Sequence, residues 1–174
     1  MSALRLINET SASSVATLSV TDVFTSDFDI YKIVIDDFDL TGTPYLTWRL
    51  INSSGSVIST SNYDRAMLQM NSETTFGEGR STNITYMNYL ADVGSGVAET
   101  GGVVIWLFNP TNTSSYTFSL FQSSVSRSPN FRSHKGIGVL KLTNSITGFQ
   151  LLNSSTFSFD SVNVKTYGLR VDNG

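Results

Sequence analysis

The sequence predicts an all-β protein that folds as a single antiparallel β-sandwich of jelly-roll-like type. Short segments in which apolar and polar residues alternate recur along the chain, as in residues 45–51, where Leu46, Trp48 and Leu50 fall on one face. Clusters of Gly, Asn, Asp and Ser separate these segments, as turns do. Helical patterning is nearly absent, because only residues 63–70 also fit a short helix. Many short strands with frequent turns are typical of sandwiches and jelly rolls.

The order of the elements follows from the same patterns. Residues 103–108 form an almost continuous apolar run, which predicts a buried strand. Residues 149–152 and 162–169, joined by a Ser/Thr-rich turn, predict a closing hairpin. Residues 72–102 hold six of the thirteen glycines and predict loops around one irregular strand near 84–90. The remaining strands are predicted at 14–20, 30–38, 45–51, 56–61, 116–121 and 137–142. We expect residues 1–174 to form one domain.

Composition and charge exclude several classes of protein. Hydrophobic residues make up 40% of the chain, enough for a core, whereas charged residues are only 14%. A net charge of −3 argues against nucleic-acid binding through a basic patch. The chain has no cysteine, so it forms neither a disulfide nor a cysteine-based zinc site. No apolar run approaches the ~18 residues of a membrane span, and residues 1–10 lack the pattern of a signal peptide. We therefore expect synthesis in a cytoplasm and no membrane insertion.

Three segments resemble a known group of proteins. Residues 145–170 contain Thr147-Gly148-Phe149 and the run V-K-T-Y-G-L-R at 164–170. Residues 13–35 combine a Ser-rich strand with F-D-I-Y-K-I-V-I, and residues 105–123 read I-W-L-F-N-P-T-N-T-S-S-Y-T-F-S-L-F-Q-S. These segments, about half of the chain, resemble the small β-sandwich domains of tailed-bacteriophage virion proteins, of the head-decoration or tail-fibre type.

The resemblance implies a non-enzymatic structural protein that is exposed on a phage virion, made in the host cytoplasm and used without a cofactor. It implies head decoration (cement) or a tail or fibre component. The predicted domain begins close to Met1 and leaves no room for a coiled-coil shaft, which favours decoration. The alternative is a carbohydrate-binding receptor-recognition module of a fibre, which would contact a host surface glycan.

Candidate catalytic and metal-binding residues have little sequence support. Calcium prefers carboxylate oxygens, which Asp36, Asp37 and Asp39 would supply, but turn and strand-end acids explain them better. His134 is the only histidine, and no nucleophile motif accompanies it. We expect the basic loop at 127–135 to be solvated; the alternative is that it contacts an acidic partner surface. A two-carboxylate glycosidase site stays open, although nothing in the sequence marks a pair. The full acidic run comprises Asp22, Asp27, Asp29, Asp36, Asp37 and Asp39.

Four aromatic residues are candidates for stacking on sugar rings. Trp106 lies in the most apolar run, and Trp48 alternates with leucines, so we expect both in the core. Tyr45 and Tyr116 are open to either a core or a surface position.

Self-association is the last expectation. Sandwich edges are templates for strand pairing, and this chain has few Lys or Pro residues to protect them. We expect a homo-oligomer, most simply a trimer, or docking to other virion proteins. Residues 1–100 carry a net charge of −7 and residues 101–174 of +4, which favours head-to-tail contacts if the halves form two faces. The expected docking residues are Leu4, Leu6 and Ile7, in a strand with little chain to pair with, and Arg127, Arg132 and Lys135.

Overall fold

Strands account for every regular element in the part of the chain that the computed structural model describes, residues 4–43, 45–96 and 98–169. Because this part holds no helix, it contains none that would span a membrane. The twelve strands are β1 (Leu4–Val15), β2 (Thr17–Val20), β3 (Ile30–Leu40), β4 (Leu46–Asn52), β5 (Tyr63–Asn71), β6 (Gly77–Ile84), β7 (Met87–Ala91), β8 (Gly101–Phe108), β9 (Thr117–Arg127), β10 (Asn130–Leu140), β11 (Ile146–Asn153) and β12 (Phe159–Leu169).

The strands form two antiparallel sheets. The larger has eight strands in the order β1-β12-β3-β8-β9-β10-β5-β6, and the smaller has four in the order β2-β11-β4-β7. The sheets pack face to face around one cluster of buried apolar side chains. The predicted all-β antiparallel sandwich is therefore confirmed, and the arrangement is consistent with a jelly-roll-like fold. Strands from both halves of the sequence interleave in the larger sheet, so the charge difference between the halves does not create two opposite faces.

Alternation of side chains builds the core. In β3, Tyr31, Ile33 and Ile35 are fully buried and alternate with residues that face away from the smaller sheet. Trp48 and Phe149 come from neighbouring strands of the smaller sheet, and their ring centroids are 6.2 Å apart at near-perpendicular orientation. Edge-to-face contacts of this kind add to the stabilisation from burying large aromatic side chains.

Tyr63 links the two sheets through its buried hydroxyl group. Its side chain extends from β5 of the larger sheet, and its hydroxyl accepts a hydrogen bond from the Leu50 N–H of β4 at 3.0 Å. The same hydroxyl donates to the Ile58 carbonyl oxygen at 2.9 Å. Burial raises the pKa of Tyr63 to about 12, so the hydroxyl stays neutral and able to donate.

The middle of the chain contains more strand than the sequence predicts. Residues 63–71 form strand β5, in which Tyr63 and Met67 are buried while Ala66 and Leu68 are exposed. Pairing with β10 on one side and β6 on the other outweighs the weak helical pattern. Residues 72–102 were expected to form loops around one irregular strand near 84–90; β7 overlaps that strand, and β6 is additional. Its glycines permit close packing, since a Cβ atom at Gly101 would lie 2.5 Å from the Ser124 carbonyl oxygen.

Two predicted hairpins are also absent. The apolar runs at 149–152 and 162–169 lie in different sheets, because β11 pairs with β2 and β4 while β12 pairs with β1 and β3. Residues 56–61 contribute only an isolated bridge between Val57 and Ile51. A Ser/Thr-rich connection is compatible with a hairpin and with a crossing between sheets, and the sequence does not distinguish them.

Replacing Tyr63 by phenylalanine tests the link between the sheets. We expect Tyr63→Phe to lower the free energy of unfolding by about 1–3 kcal/mol, because the buried Leu50 N–H and Ile58 carbonyl lose their partner. Urea denaturation measures the change. Tyr116→Phe, at a tyrosine that is largely exposed, is the matched control and should be neutral. Equal stability of Tyr63→Phe and wild type would contradict the role of this hydroxyl.

Candidate functional site

The surface of the eight-stranded sheet that faces away from the smaller sheet is strongly apolar, and we call it the outer face. Its exposed fractions are 60% for Leu68, 50% for Phe118, 46% for Leu120 and 55% for Ile137. In register, Trp106 of β8 lies opposite Leu120 of β9, which lies opposite Ile137 of β10. Cross-strand neighbours on one face are close enough to touch. The apolar side chains therefore form one continuous patch across four strands.

The patch lines an open trough with a volume of about 1140 Å³. Val104 and Trp106 form one side, Leu120 and Ile137 the floor, and Leu68 the other side. A smaller depression of about 420 Å³ adjoins it and is lined in part by the Phe108, Phe118 and Val139 side chains.

Charged and amide groups surround this apolar centre. Glu78 and Arg80 of β6 and Lys135 of β10 line the trough, and Gln122 lies opposite Lys135 in the sheet. On the side of β3, the Lys32 ammonium group lies 5.7 Å from the centroid of the Trp106 ring, within the range of a cation–π contact. An apolar centre with a polar rim is the usual anatomy of a protein–protein interface.

A second candidate site is buried at the end of the sandwich around Asp92, which directly follows β7. Asp92 is 1% exposed, and its Oδ2 atom accepts hydrogen bonds from Arg127 Nη1 at 2.7 Å and Arg132 Nη1 at 2.5 Å. Both guanidinium groups retain some solvent contact, whereas the carboxylate does not. Removing one partner of a buried charged pair leaves the other uncompensated, so this cluster holds the β9–β10 hairpin to the end of β7.

The tip of the same hairpin is held by a second acid. The Glu99 carboxylate accepts hydrogen bonds from the backbone N–H groups of Ser128 and Gly96. These bonds lower the pKa of Glu99. Residues 127–135 are therefore a tethered hairpin, and the prediction of a solvated basic loop there is wrong.

His134 is fully buried beside Asp92. Its Nε2 atom lies 3.6 Å from Asp92 Oδ1, and its Nδ1 atom lies 3.5 Å from Ser123 Oγ. The Ser123 hydroxyl oxygen also accepts a hydrogen bond from the His134 backbone N–H at 3.0 Å. Burial lowers the pKa of His134, and the Asp92 charge only partly opposes this effect. The imidazole is therefore neutral near pH 7.

Ser123, His134 and Asp92 thus occur in the order of a catalytic triad, but the geometry does not suit nucleophilic catalysis. All three side chains are buried between the sheets. A nucleophilic serine has to reach both its base and a substrate carbonyl. Here the serine side chain is buried, and its hydroxyl is engaged with the β10 backbone. We interpret the group as a structural polar cluster.

The predicted N-terminal docking strand is fully paired along one side. It is part of β1, which pairs antiparallel with β12 from Leu4, opposite Leu169, to Val15, opposite Phe159. This pairing corrects the expectation that residues 4–7 have little chain to pair with. Leu6 is half-exposed on the outer face, whereas Ile7 packs against the core.

The basic docking residues are separated from one another. Arg127 and Arg132 are engaged by buried Asp92, and Lys135 is exposed on the outer face next to Leu68. Of the six predicted docking residues, only Leu6 and Lys135 combine strong exposure with a place on that face.

The aromatic candidates also lie in different places. Trp48 is buried as predicted, but Trp106 is only partly buried and lies on the outer face, so its predicted core position is wrong. The Tyr45 ring contacts the Tyr89 ring at a tilt of 38°, with centroids 3.8 Å apart. Tyr116 is exposed, next to β9.

The three candidate calcium ligands of the acidic run do not converge on one site, because each binds a different neighbouring group. Asp36 pairs with Lys165, Asp37 accepts a hydrogen bond from the Thr100 hydroxyl, and Asp39 accepts one from a backbone N–H. No group of three or more His, Asp or Glu side chains in the described residues is placed to hold a metal ion. Among the described residues that line the trough, Glu78 is the one carboxylate, so a glycosidase pair has no counterpart there.

Sequence reasoning missed the buried role of Asp92 and the extent of the outer face. Asp92 lies between β7 and a glycine-rich stretch, and nothing nearby in the sequence indicates two arginine partners some 35–40 positions away. The apolar outer face can, however, be recognised in the sequence of β9. In β9, Phe118 and Leu120 alternate with Phe121 and Val125, so large apolar residues fall on both faces of one strand.

Comparison with known proteins gives only distant similarities. No protein-family model and no curated protein matches the chain. It is similar to a fructofuranosidase from Schwanniomyces occidentalis complexed with fructosylnystose, at 7% identity and TM-score 0.38, over 95% of this chain and 34% of the other. This chain thus spans about a third of that enzyme. It is also similar to a tetrameric galectin from the ball sponge Cinachyrella sp., at 12% identity and TM-score 0.30, over 84% of this chain and 96% of the other.

A third similarity is to the VP2 subviral particle of infectious bursal disease virus, at 10% identity and TM-score 0.19, over 96% of this chain and 42% of the other.

Acidification tests the neutral state of buried His134. The folded pKa is below the unfolded value of about 6.5, so the unfolded chain takes up a proton first as the pH falls. We expect stability to fall by on the order of 1 kcal/mol between pH 7.5 and 5.5. Because His134 is the only histidine, His134→Gln should flatten this dependence. Urea unfolding at both pH values measures it, and parallel pH profiles would contradict burial of a neutral imidazole.

Proposed function

We propose that this chain is a non-enzymatic structural protein exposed on the virion of a tailed phage, as a head-decoration protein or a tail or fibre component. It docks to a neighbouring virion protein through the outer face. The observation that carries this proposal is the continuous apolar patch formed by Trp106, Leu120, Ile137 and Leu68. Exposed apolar patches of this extent mark interaction sites in proteins.

The sequence resemblance supports the virion context. Residues 13–35, 105–123 and 145–170 contribute to β2, β3, β8, β9, β11 and β12. Four of these strands, β12-β3-β8-β9, are consecutive in the larger sheet and form its centre. The other two, β2 and β11, are neighbours in the smaller sheet. The expected trimer, the virion location and contact with a host glycan stay predictions.

The chemistry of the trough favours a protein partner over a reaction. Its centre is lined by aliphatic side chains and one indole, and these have no acid–base function. The chain's histidine lies on the other face of the sheet, buried beside Asp92. Shape and apolar burial, with a charged rim for orientation, are what a docking surface requires.

Polar substitutions in the patch test this proposal. We expect the double variant Leu120→Ser/Ile137→Ser to bind at least tenfold more weakly to virions assembled without the protein, because docking no longer buries these side chains. Both residues are about half-exposed, so the fold should persist. Co-sedimentation with the particles measures binding, and far-UV circular dichroism checks the fold.

The control is Phe157→Ser, which removes an exposed apolar side chain in the connection between β11 and β12. It should leave particle binding unchanged. A double variant that co-sediments as well as wild type would remove the outer face from the docking surface.

A second candidate function is carbohydrate recognition, and the placement of Trp106 favours it. Its ring is accessible at the side of the trough, with Lys32 and Gln122 nearby as hydrogen-bond donors. Sugars stack on such aromatic faces while polar neighbours bind their hydroxyl groups. In this function, host-surface oligosaccharides should change the tryptophan fluorescence, and Trp106→Phe should abolish the change because Trp48 is buried. An unchanged spectrum with saturating oligosaccharide would exclude stacking on Trp106.

A further inference from the structure

Strand β6 (Gly77–Ile84) forms one edge of the eight-stranded sheet and pairs with β5 alone. Its sequence, G-E-G-R-S-T-N-I, contains neither Pro nor Lys, the residues that commonly protect an edge. Gly77 and Gly79 keep the edge free of bulky side chains. The register of β6 shifts after Ser81, with Asn83 at φ 54°, so the free side available for regular pairing is the segment 77–81.

Two opposite charges on this edge lack partners. Glu78 lies opposite Leu68 of β5 and Arg80 opposite Ala66, so both side chains belong to the outer face. Both are exposed, and within the described part of the chain neither side chain forms an ion pair or hydrogen bond. Other acids on the same face are paired, since Asp64 contacts Lys141 at 2.9 Å. The unpaired charges lie symmetrically about Gly79.

We propose that a second copy of this chain pairs with β6 antiparallel, about a two-fold axis through Gly79. Glu78 then lies opposite Arg80 of the second copy, and Arg80 lies opposite its Glu78, which gives two reciprocal ion pairs. In an antiparallel ladder, residues directly opposite each other point to the same face, as these pairs require. The interface is isologous, the commonest type in homo-oligomers.

The pairing also extends the outer face. A two-fold axis perpendicular to the sheet keeps the outer faces of both copies on the same side and creates one sixteen-stranded sheet. Glu78, Gly79 and Arg80 line the trough, so the troughs of the two copies meet along the new seam. Phe76, which is 74% exposed just before β6, lies at the end of this seam.

The other edge of the sheet does not offer the same complementarity. In β1, Glu9 already contacts Lys165 at 3.6 Å. Arg5 lies opposite Gly168, on the face towards the core residue Phe28, whereas Glu9 lies on the outer face. Pairing of β1 with β1, or of β1 with β6, therefore forms no reciprocal ion pairs. The charges favour β6 with β6, a dimer, over the ring that a head-to-tail trimer requires.

Charge reversal tests the pairing. In Glu78→Arg and in Arg80→Glu, like charges face each other twice across the seam, so we expect the dimer dissociation constant to rise at least tenfold. The charge-swapped double variant Glu78→Arg/Arg80→Glu restores opposite charges and should restore dimerisation. Sedimentation equilibrium of the full chain measures the constants. Glu73→Arg, in the turn before β6, is the matched control and should dimerise like wild type.

Rescue by the double variant identifies the contact, because no change in folding alone would produce it. A monomeric wild type at high concentration, a trimer, or a dimer insensitive to both single reversals would overturn the proposal. The outcome is separate from that of the docking test. Serine substitutions at Leu120 and Ile137 leave the β6 charges intact, and the charge reversals leave the centre of the patch intact.

Discussion

The structure depends on an imbalance between its two sheets. Four strands cover one face of an eight-stranded sheet, and the alternation of side chains forces every residue that does not face this cover onto the other side. In β8, β9, β10 and β5 those residues are largely apolar, including Trp106, Leu120 and Ile137. Folding of this chain therefore buries one apolar face and leaves a second one exposed. A sheet with two apolar faces is stable in water when a partner covers the second.

The Asp92 cluster fixes the β9–β10 hairpin to the end of β7. Strands β9 and β10 supply much of the outer face, and their connecting hairpin is anchored by Asp92 and Glu99 at its base and tip. A buried carboxylate with two arginines contributes orientation more than net stability, because desolvation offsets much of the attraction. Its effect is to fix the hairpin relative to β7. The same arrangement keeps His134 neutral and removed from solvent. The histidine therefore has a structural role and needs no catalytic one.

The sequence predicted the sandwich because local alternation is strong where one face is buried, as around Trp48. Prediction from the sequence was wrong where the structure depends on pairing between strands that are far apart in the chain. Residues 63–71 become a strand because β10 and β6 flank them, and the runs at 149–152 and 162–169 separate because each meets different strands. Trp106 was assigned to the core because its run is apolar on both faces, a pattern that also fits a sheet with two apolar surfaces. The partners of Asp92 have no local signal at all.

The outer face and the β6 edge belong to one physical problem. A patch on one face attracts partners without specifying their orientation, since apolar burial is non-directional. Direction comes from hydrogen-bonded edges and charge pairs, whose geometry admits few registers. In β6 both occur beside the trough, and the symmetric placement of Glu78 and Arg80 selects one register and one symmetry. Two copies joined in this way present two apolar patches on the same side of one sheet, with the Glu78 and Arg80 charges between them. In the proposed function, a partner protein that contacts both patches binds two copies at once, so that weak individual contacts give firm attachment.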